Sequence, residues 1–570
     1  MATRLFHVGS IFFFSFNLCL GWIVTTAGRV EAQPSRANTV RFLEQSTFGP
    51  TSQLIAHVQG LGFDAFLKEQ FAAPMSNYPE LDFWPQTRPT NCTGDCQRDN
   101  YTMYLLQRHF FFNALYGQDQ LRQRVAFALG QILVVSAVDV PLPSWMRGYQ
   151  QLLYAEAFGN FRQLLYDVTL NPAMGRFLDM LNSRCQTRTP PDVNVCRNGL
   201  RSKPNENYAR EILQLFSIGT FLLNQDGTRQ LDGNHQPIPT YDQDTVEEFS
   251  RVFTGWILAP ALAGPSGVGG TVPNYRDPMR VRRDSQGRDD YHDRGAKALL
   301  NGLTLPQGQS QEQELNAAIG NIIDHPNVAP FISKQLIQHL VTSNPSPGYV
   351  ARIAGVFAAN RNSPTQLQEV VRAILLDPDA RGDFKDPAAE PNYGKLREPV
   401  LFITNILRAF NATSDGVLNS RVGSSIGSAD MSQDVFNAAS VFNFYPPTAR
   451  VPGEEGVLGP QFAIFSSLTS LRRDNFVNRV IFSTIPRSTS PSTDRPTGTS
   501  IDLSSWDSLA SDPDRLIDEL NWLLLHGAIS EEMRQIVRDA VSSIPGSNRR
   551  LRVRTAIYLI ATSAQYQVQR

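Results

Sequence analysis

The sequence predicts an all-α fold: one large multi-helix body with long irregular loops. Three observations lead there. Apolar residues recur at helical spacing through most of the chain. Gly, Pro, Asn and Asp cut it into segments of helical length. Alternating apolar and polar runs, the mark of a half-buried strand, are nearly absent. A chain of 570 residues can bury one large core or several ordinary ones, and the possible lobes here are 38–256 and 292–570, with a loop at 257–291 between them. The composition is that of an ordinary globular protein, 41% hydrophobic and 18% charged. With 52 Lys and Arg against 53 Asp and Glu there is no basic field for a phosphate backbone, so nucleic acid is not an expected partner.

Residues 1–32 read as a targeting segment. Arg4 supplies a positive start, Ile11 to Ala27 an apolar run, and Val30-Glu31-Ala32 a small-x-small cleavage site. An uncleaved anchor is the alternative, since the run approaches membrane-spanning length. No later stretch is long and apolar enough to span. The expectation is a secreted or periplasmic protein, cleaved near Ala32. Four cysteines then remain, and two local disulfides, Cys92–Cys96 and Cys185–Cys196, are the simplest arrangement in an oxidising compartment.

In chain order, short helices are predicted over 41–47, 52–58 and 63–71. An aromatic-rich helix follows at 100–115 and a core helix at 119–136. Arg122 and Arg124 lie near the start of the latter, where the helix dipole does not favour cations; surface arginines paired with nearby acids are the favoured reading, and specific acceptors the alternative. A hairpin spans 160–182 and turns at Pro172. Further helices are expected at 293–300, 311–324, 326–342, 347–360, 364–376 and 395–410, and three more at 514–525, 530–542 and 548–564.

Chemistry concentrates in Lys203 to Trp256. In PNENYARE, Asn205 suits a cap, and helical spacing sets Glu206 over Arg210 and Asn207 over Glu211. An exposed pair of this kind contributes only about 0.3–0.5 kcal/mol, little reason for so specific a cluster. Glu206, Arg210 and Glu211 are therefore candidate catalytic groups, with His292 of YHDRGAK as their nearest candidate partner. In DQDTVEEFSRVFTGW, Asp244 and Glu247 suit a capping box, and Glu248 and Arg251 an i, i+3 pair. Asn207, Trp256, His325, Lys334 and Arg397 are candidate binding residues. No HExxH, ExxH or close His pair occurs, so local spacing supports no metal site, and no cofactor is assigned. A site assembled from His292, His325 and a carboxylate is the alternative. GSSIG would make Ser425 a nucleophile, but it lacks the strand and helix that motif needs. QDVFNAASVFNFYPP reads as core, or as the lining of a cavity.

RFLEQSTFGP, LRQRVAFALGQILVVS, NPAMGRFLDMLN, PNENYAREILQLFSIG, TVEEFSRVFTGW, YHDRGAKALL, HPNVAPFISKQLIQHLVTSNPSPGYVARI, LREPV, FNAASVFNFYPP and the terminal YQVQR occur in this order. Together they resemble the bacterial family of exported proteins catalogued as domain of unknown function 1800. The resemblance implies an exported helical protein with an exported sulfatase-like protein, encoded nearby, as partner. This chain departs in having Gln214 where the family commonly carries a second acid. The family supplies no established activity. The functional expectation is a binding or assembly component at the cell surface or in the periplasm. The alternative is a hydrolase-type enzyme, metal-assisted or not, built on the PNENYARE helix.

Overall fold

Caps decide where the helices begin. Ser35 Oγ accepts from the Asn38 amide, Asn160 Oδ1 from Arg162 and Gln163, and Ser310 and Gln313 close a reciprocal capping box. The computed structural model describes residues 33–81, 88–187, 200–264, 270–283, 285, 287, 291–382, 385, 389–418, 429–486 and 498–570. The expected targeting segment, Cys196 and Ser425 lie outside these. The described residues form 21 α-helices, and their strands are pairs or triplets of residues in small antiparallel ladders. The protein is mainly α with loops. None of the described helices is long and apolar enough to cross a membrane.

One hydrophobic core runs through both halves of the chain, from Val40 to Tyr566. Helix Arg36–Ser46 packs on Pro513–Leu525, Phe63–Ala72 on Gln366–Leu376, and Tyr104–Tyr116 on Pro399–Ala409. The loop at 257–291 is stitched down where it is described: Trp256–Ile257 pairs with Arg280–Val281, Leu262–Ala263 pairs with Thr271–Val272, and Tyr275 stacks on Trp145 at 4.3 Å. Cys92 and Cys96 form a disulfide, with Cα atoms 5.3 Å apart. Cys185 is also disulfide-bonded.

Several local expectations are corrected. Residues 293–300 are not a helix. Lys297–Ala298 is a strand paired with Thr304–Leu305, because Asp293 does not cap: its carboxylate takes Arg251 and the Gly295 amide instead. The helix expected from Lys395 starts only at Pro399. Lys395–Leu396 pairs antiparallel with the C-terminal Val568–Gln569, and Glu398 before the proline is extended (φ −66°, ψ 152°). Asp242, not Asp244, caps helix Gln243–Val252, accepting from the Thr245 amide at 2.8 Å and its hydroxyl at 2.7 Å. Helix Asn207–Gln214 begins with Glu206 at the cap position, while Asn205 Oδ1 bonds the Asn207 amide.

Candidate functional site

The residues singled out on the Lys203–Trp256 stretch do not meet in one site. Glu206 and Arg210 form the expected i, i+4 pair at 3.0 Å, both part-exposed, and both bond Gln243. Asn207 turns away to Asp179 at 3.0 Å. Glu211 is half-buried; burial raises its pKa, which Arg210 partly offsets, and one carboxylate oxygen is buried without a hydrogen bond. Gln243 opens helix Gln243–Val252, whereas His292 bonds Thr254, just beyond its other end, through Nδ1 at 3.1–3.2 Å. At 1.5 Å per residue that places Glu206 and His292 about 15 Å apart along the axis.

His292 does not project from its loop. It is fully buried, with Nε2 3.2 Å from Glu314; Lys297 also reaches Glu314, at 2.7 Å, and Arg251 holds Asp293 at 2.7 Å. The basic and acidic groups answer one another, so this cluster fastens the loop to helix Gln311–Ile323. Trp256 is core, 2% exposed. His325 is buried and accepts from the Asn327 amide; burial lowers its pKa. Lys334 is half-buried, its pKa lowered first by burial and then by Arg229.

Arg397 leads to the groups that sequence reasoning missed. It sits between the strand Lys395–Leu396 and helix Pro399–Ala409, inside a wholly buried polar layer. Its Nη2 donates to Glu44 at 2.8 Å, its Nε to the Tyr566 carbonyl at 2.8 Å, and its guanidinium lies 4.9 Å from the Tyr566 ring centroid. Tyr566 donates to Asn405, and Asn405 to Glu44 at 3.4 Å. Arg41, one helical turn before Glu44, bonds the backbone oxygen of Arg570 at 2.9 Å.

On the other side of the same junction, Glu398 accepts from Tyr445 at 2.7 Å and Gln433 at 2.6 Å, and stands 3.9 Å from Lys395. Lys395 and Arg124 both donate to the His339 carbonyl, so Arg124 is not the surface arginine paired with a nearby acid that the sequence favoured: it is buried on a backbone acceptor. Burial pushes Lys395 down to about 7 and His339 down to about 3. Burial acts to raise Glu398, but Lys395, Arg124 and His339 outweigh it and hold the carboxyl below its usual range. The 433–447 stretch covers this layer as irregular chain, with Phe436 and Asn443 in the left-handed region (φ 69° and 65°). It lines a cavity of only about 40 Å³, room for a water or two, so this cluster holds the junction and offers no seat for a ligand.

A candidate seat borders Arg397 elsewhere. A cleft of about 600 Å³ opens between the 524–530 turn and the C-terminal strand. Leu524, Leu525, Ala528, Ile529, Ala564 and Val568 make apolar walls, while Arg397, His526 and Arg570 supply charge and hydrogen-bonding groups. His526 is 6% exposed and held in the left-handed region (φ 45°). Its pKa is driven well below the usual imidazole value, by burial first and then by Arg41, Arg397 and Arg570. Gly527 fixes the turn: at φ 89° a Cβ there would stand 2.5 Å from the Trp522 ring. Two other cavities are of similar size. One of about 560 Å³ contains Arg408, whose guanidinium is taken up by the carbonyls of Gly49, Ala114 and Leu115. One of about 660 Å³ is a polar groove whose Asp64 is already paired with Arg372. Apolar walls with convergent polar groups make the cleft at Arg397 the candidate ligand site.

A family model described as "Protein of unknown function (DUF1800)" matches residues 41–568. The chain belongs to the DUF1800 family. No curated protein and no solved structure matches it. In this DUF1800 protein the two stretches LREPV and YQVQR, 170 residues apart at Arg397 and Gln567, meet as paired strands beneath the cleft, Arg397 N–H donating to the Gln567 carbonyl at 2.8 Å. Their chemistry is legible only once they touch, since neither carries a catalytic spacing of its own.

Proposed function

We propose that this DUF1800 protein is an exported binding or assembly component, acting at the cell surface or in the periplasm with a secreted partner, and that its ligand seat is the cleft at Arg397. The observation that carries the reading is the cleft itself: about 600 Å³, within the range of small-molecule sites, with apolar walls and a strained, buried His526 beside two arginines. Export rests on the character of residues 1–32. The family resemblance supports an exported sulfatase-like partner. The hydrolase reading keeps one point in its favour, the raised and half-buried Glu211, but His292, the assisting group assigned to it, is buried between Thr254 and Glu314.

Cell fractionation with antibody detection, followed by native mass spectrometry, tests the reading. The expected result is a chain beginning near Gln33 in the extracytoplasmic fraction, carrying a small molecule that Ala564→Trp, which fills the cleft, releases. A chain retained in the cytoplasm with residues 1–32 intact would overturn the export reading. Turnover of an ester or glycoside panel that Glu211→Gln abolishes would overturn the non-catalytic one.

A further inference from the structure

The cleft resting on Arg397 has a polarity that selects among ligands, and the following rests on its reading as a binding seat. In the layer beneath it the Glu44 carboxylate is already engaged, with both Arg397 and Asn405 on its Oε1. Arg41 is occupied by the backbone oxygen of Arg570. Among the described residues the Arg570 guanidinium reaches the Pro391 carbonyl, at 3.4 Å, and its Nη1 is buried without a hydrogen bond. Glu390, the acid that acts on Arg570, is half-exposed and pairs with Lys385 at 3.6 Å. Arg397 spends Nε and Nη2 on Tyr566 and Glu44, and Nη1 bonds none of the described residues. Beside them His526, 6% exposed, keeps Nδ1 buried without a partner.

A buried guanidinium N–H left unbonded, that of Arg570 Nη1, favours an incoming acceptor, and most of all one that carries a negative charge. The walls add the second requirement. Leu524, Leu525, Ala528, Ile529, Ala564 and Val568 present aliphatic surface and no charge, so the remainder of the ligand is apolar. We infer that the cleft binds a small anionic amphiphile, a monocarboxylate with an aliphatic body, its carboxylate between Arg570 and Arg397 within reach of His526 and its chain along the aliphatic walls.

Isothermal titration of the full chain with decanoate, decanol and acetate tests this. Decanoate is expected to bind 1:1, decanol roughly tenfold or more weakly, and acetate not measurably, because a charge-assisted hydrogen bond contributes about 1.5–3 kcal/mol and tenfold corresponds to about 1.4. Arg570→Met, which leaves the backbone oxygen bonded to Arg41, is expected to weaken decanoate roughly tenfold and leave decanol unchanged. Ala564→Trp is expected to weaken both. Equal binding of decanoate and decanol, or an Arg570→Met variant that binds decanoate normally, overturns the anionic class while leaving the cleft as a seat. Absence of binding by either chain compound in the wild type overturns both the class and the seat.

Discussion

At the scale of single residues, the two arginines of greatest interest differ in what surrounds them. Arg210 pairs with Glu206 at 3.0 Å, but the two side chains are 40% and 34% exposed, so water screens the pair and competes for it. Arg397 pairs with Glu44 at 2.8 Å with side chains 2% and 0% exposed. Removing one partner there strands a buried charge, which costs about 3–5 kcal/mol. Arg397→Met is therefore expected to lower the unfolding temperature by many degrees, and Arg210→Ala to contribute at most about 0.5 kcal/mol and leave the melting curve nearly unmoved. Differential scanning calorimetry of the two variants checks both, and a mild Arg397→Met would mean that Glu44 is neutral in the native protein. The difference also shows what the sequence could hold. The Glu206–Arg210 pair is legible because helical spacing writes it into neighbouring residues. Glu44 and Arg397 are 353 positions apart, and no local pattern connects them.

Among elements, helices were the readable part. Ser35, Asn160, Ser310 and Ser530 mark their own helix starts by side-chain bonds to the following amides, and the apolar stripes do the rest. The strands were not readable. Lys395–Leu396 and Val568–Gln569 are each two residues long, too short for any alternation to register, and their pairing exists only because the C-terminus returns across the chain. The cleft was hidden for the same reason, since its walls come from a helix end, a turn and that returning strand. Its geometry depends on the turn at His526 and Gly527. An alanine at Gly527 meets both a left-handed backbone and the Trp522 ring at 2.5 Å. Gly527→Ala is expected to destabilise the protein by about 1–3 kcal/mol and to shift Trp522 fluorescence as the turn moves. A variant with the wild-type emission spectrum and melting temperature would show that the turn is not held by this glycine.

For the whole molecule, one core runs through both halves of the chain: helices from residues 36–72 are fastened to helices from 366–376 and 513–525, and Arg41 ties the first helix to the last residue. So large an interior also buries imidazoles as neutral groups. Burial lowers the pKa of His109, His325, His339 and His526 below the ordinary 6.5, His339 to about 3. The sign follows from proton binding. Above pH 6.5 these rings are neutral in both states, and their folded arrangement is fully retained. Below it the unfolded chain takes up protons that the folded interior refuses, so stability falls as the pH drops from 6.5 toward the folded value. For His339 the loss is about 1.4 kcal/mol for each pH unit below 6.5. Lys395, at about 7, titrates above this window, while Glu44, whose carboxyl burial raises, works in the opposite direction and blurs the total. The His339 contribution is isolated by difference. Between pH 7.5 and 5.5, His339→Gln is expected to lose about 1.4 kcal/mol less stability than the wild type, read from denaturant midpoints at the two pH values. Parallel losses in the two proteins would mean that His339 is protonated inside the fold, beside Glu398, and that the buried layer around Arg397 and Lys395 carries one more positive charge than its hydrogen bonds imply.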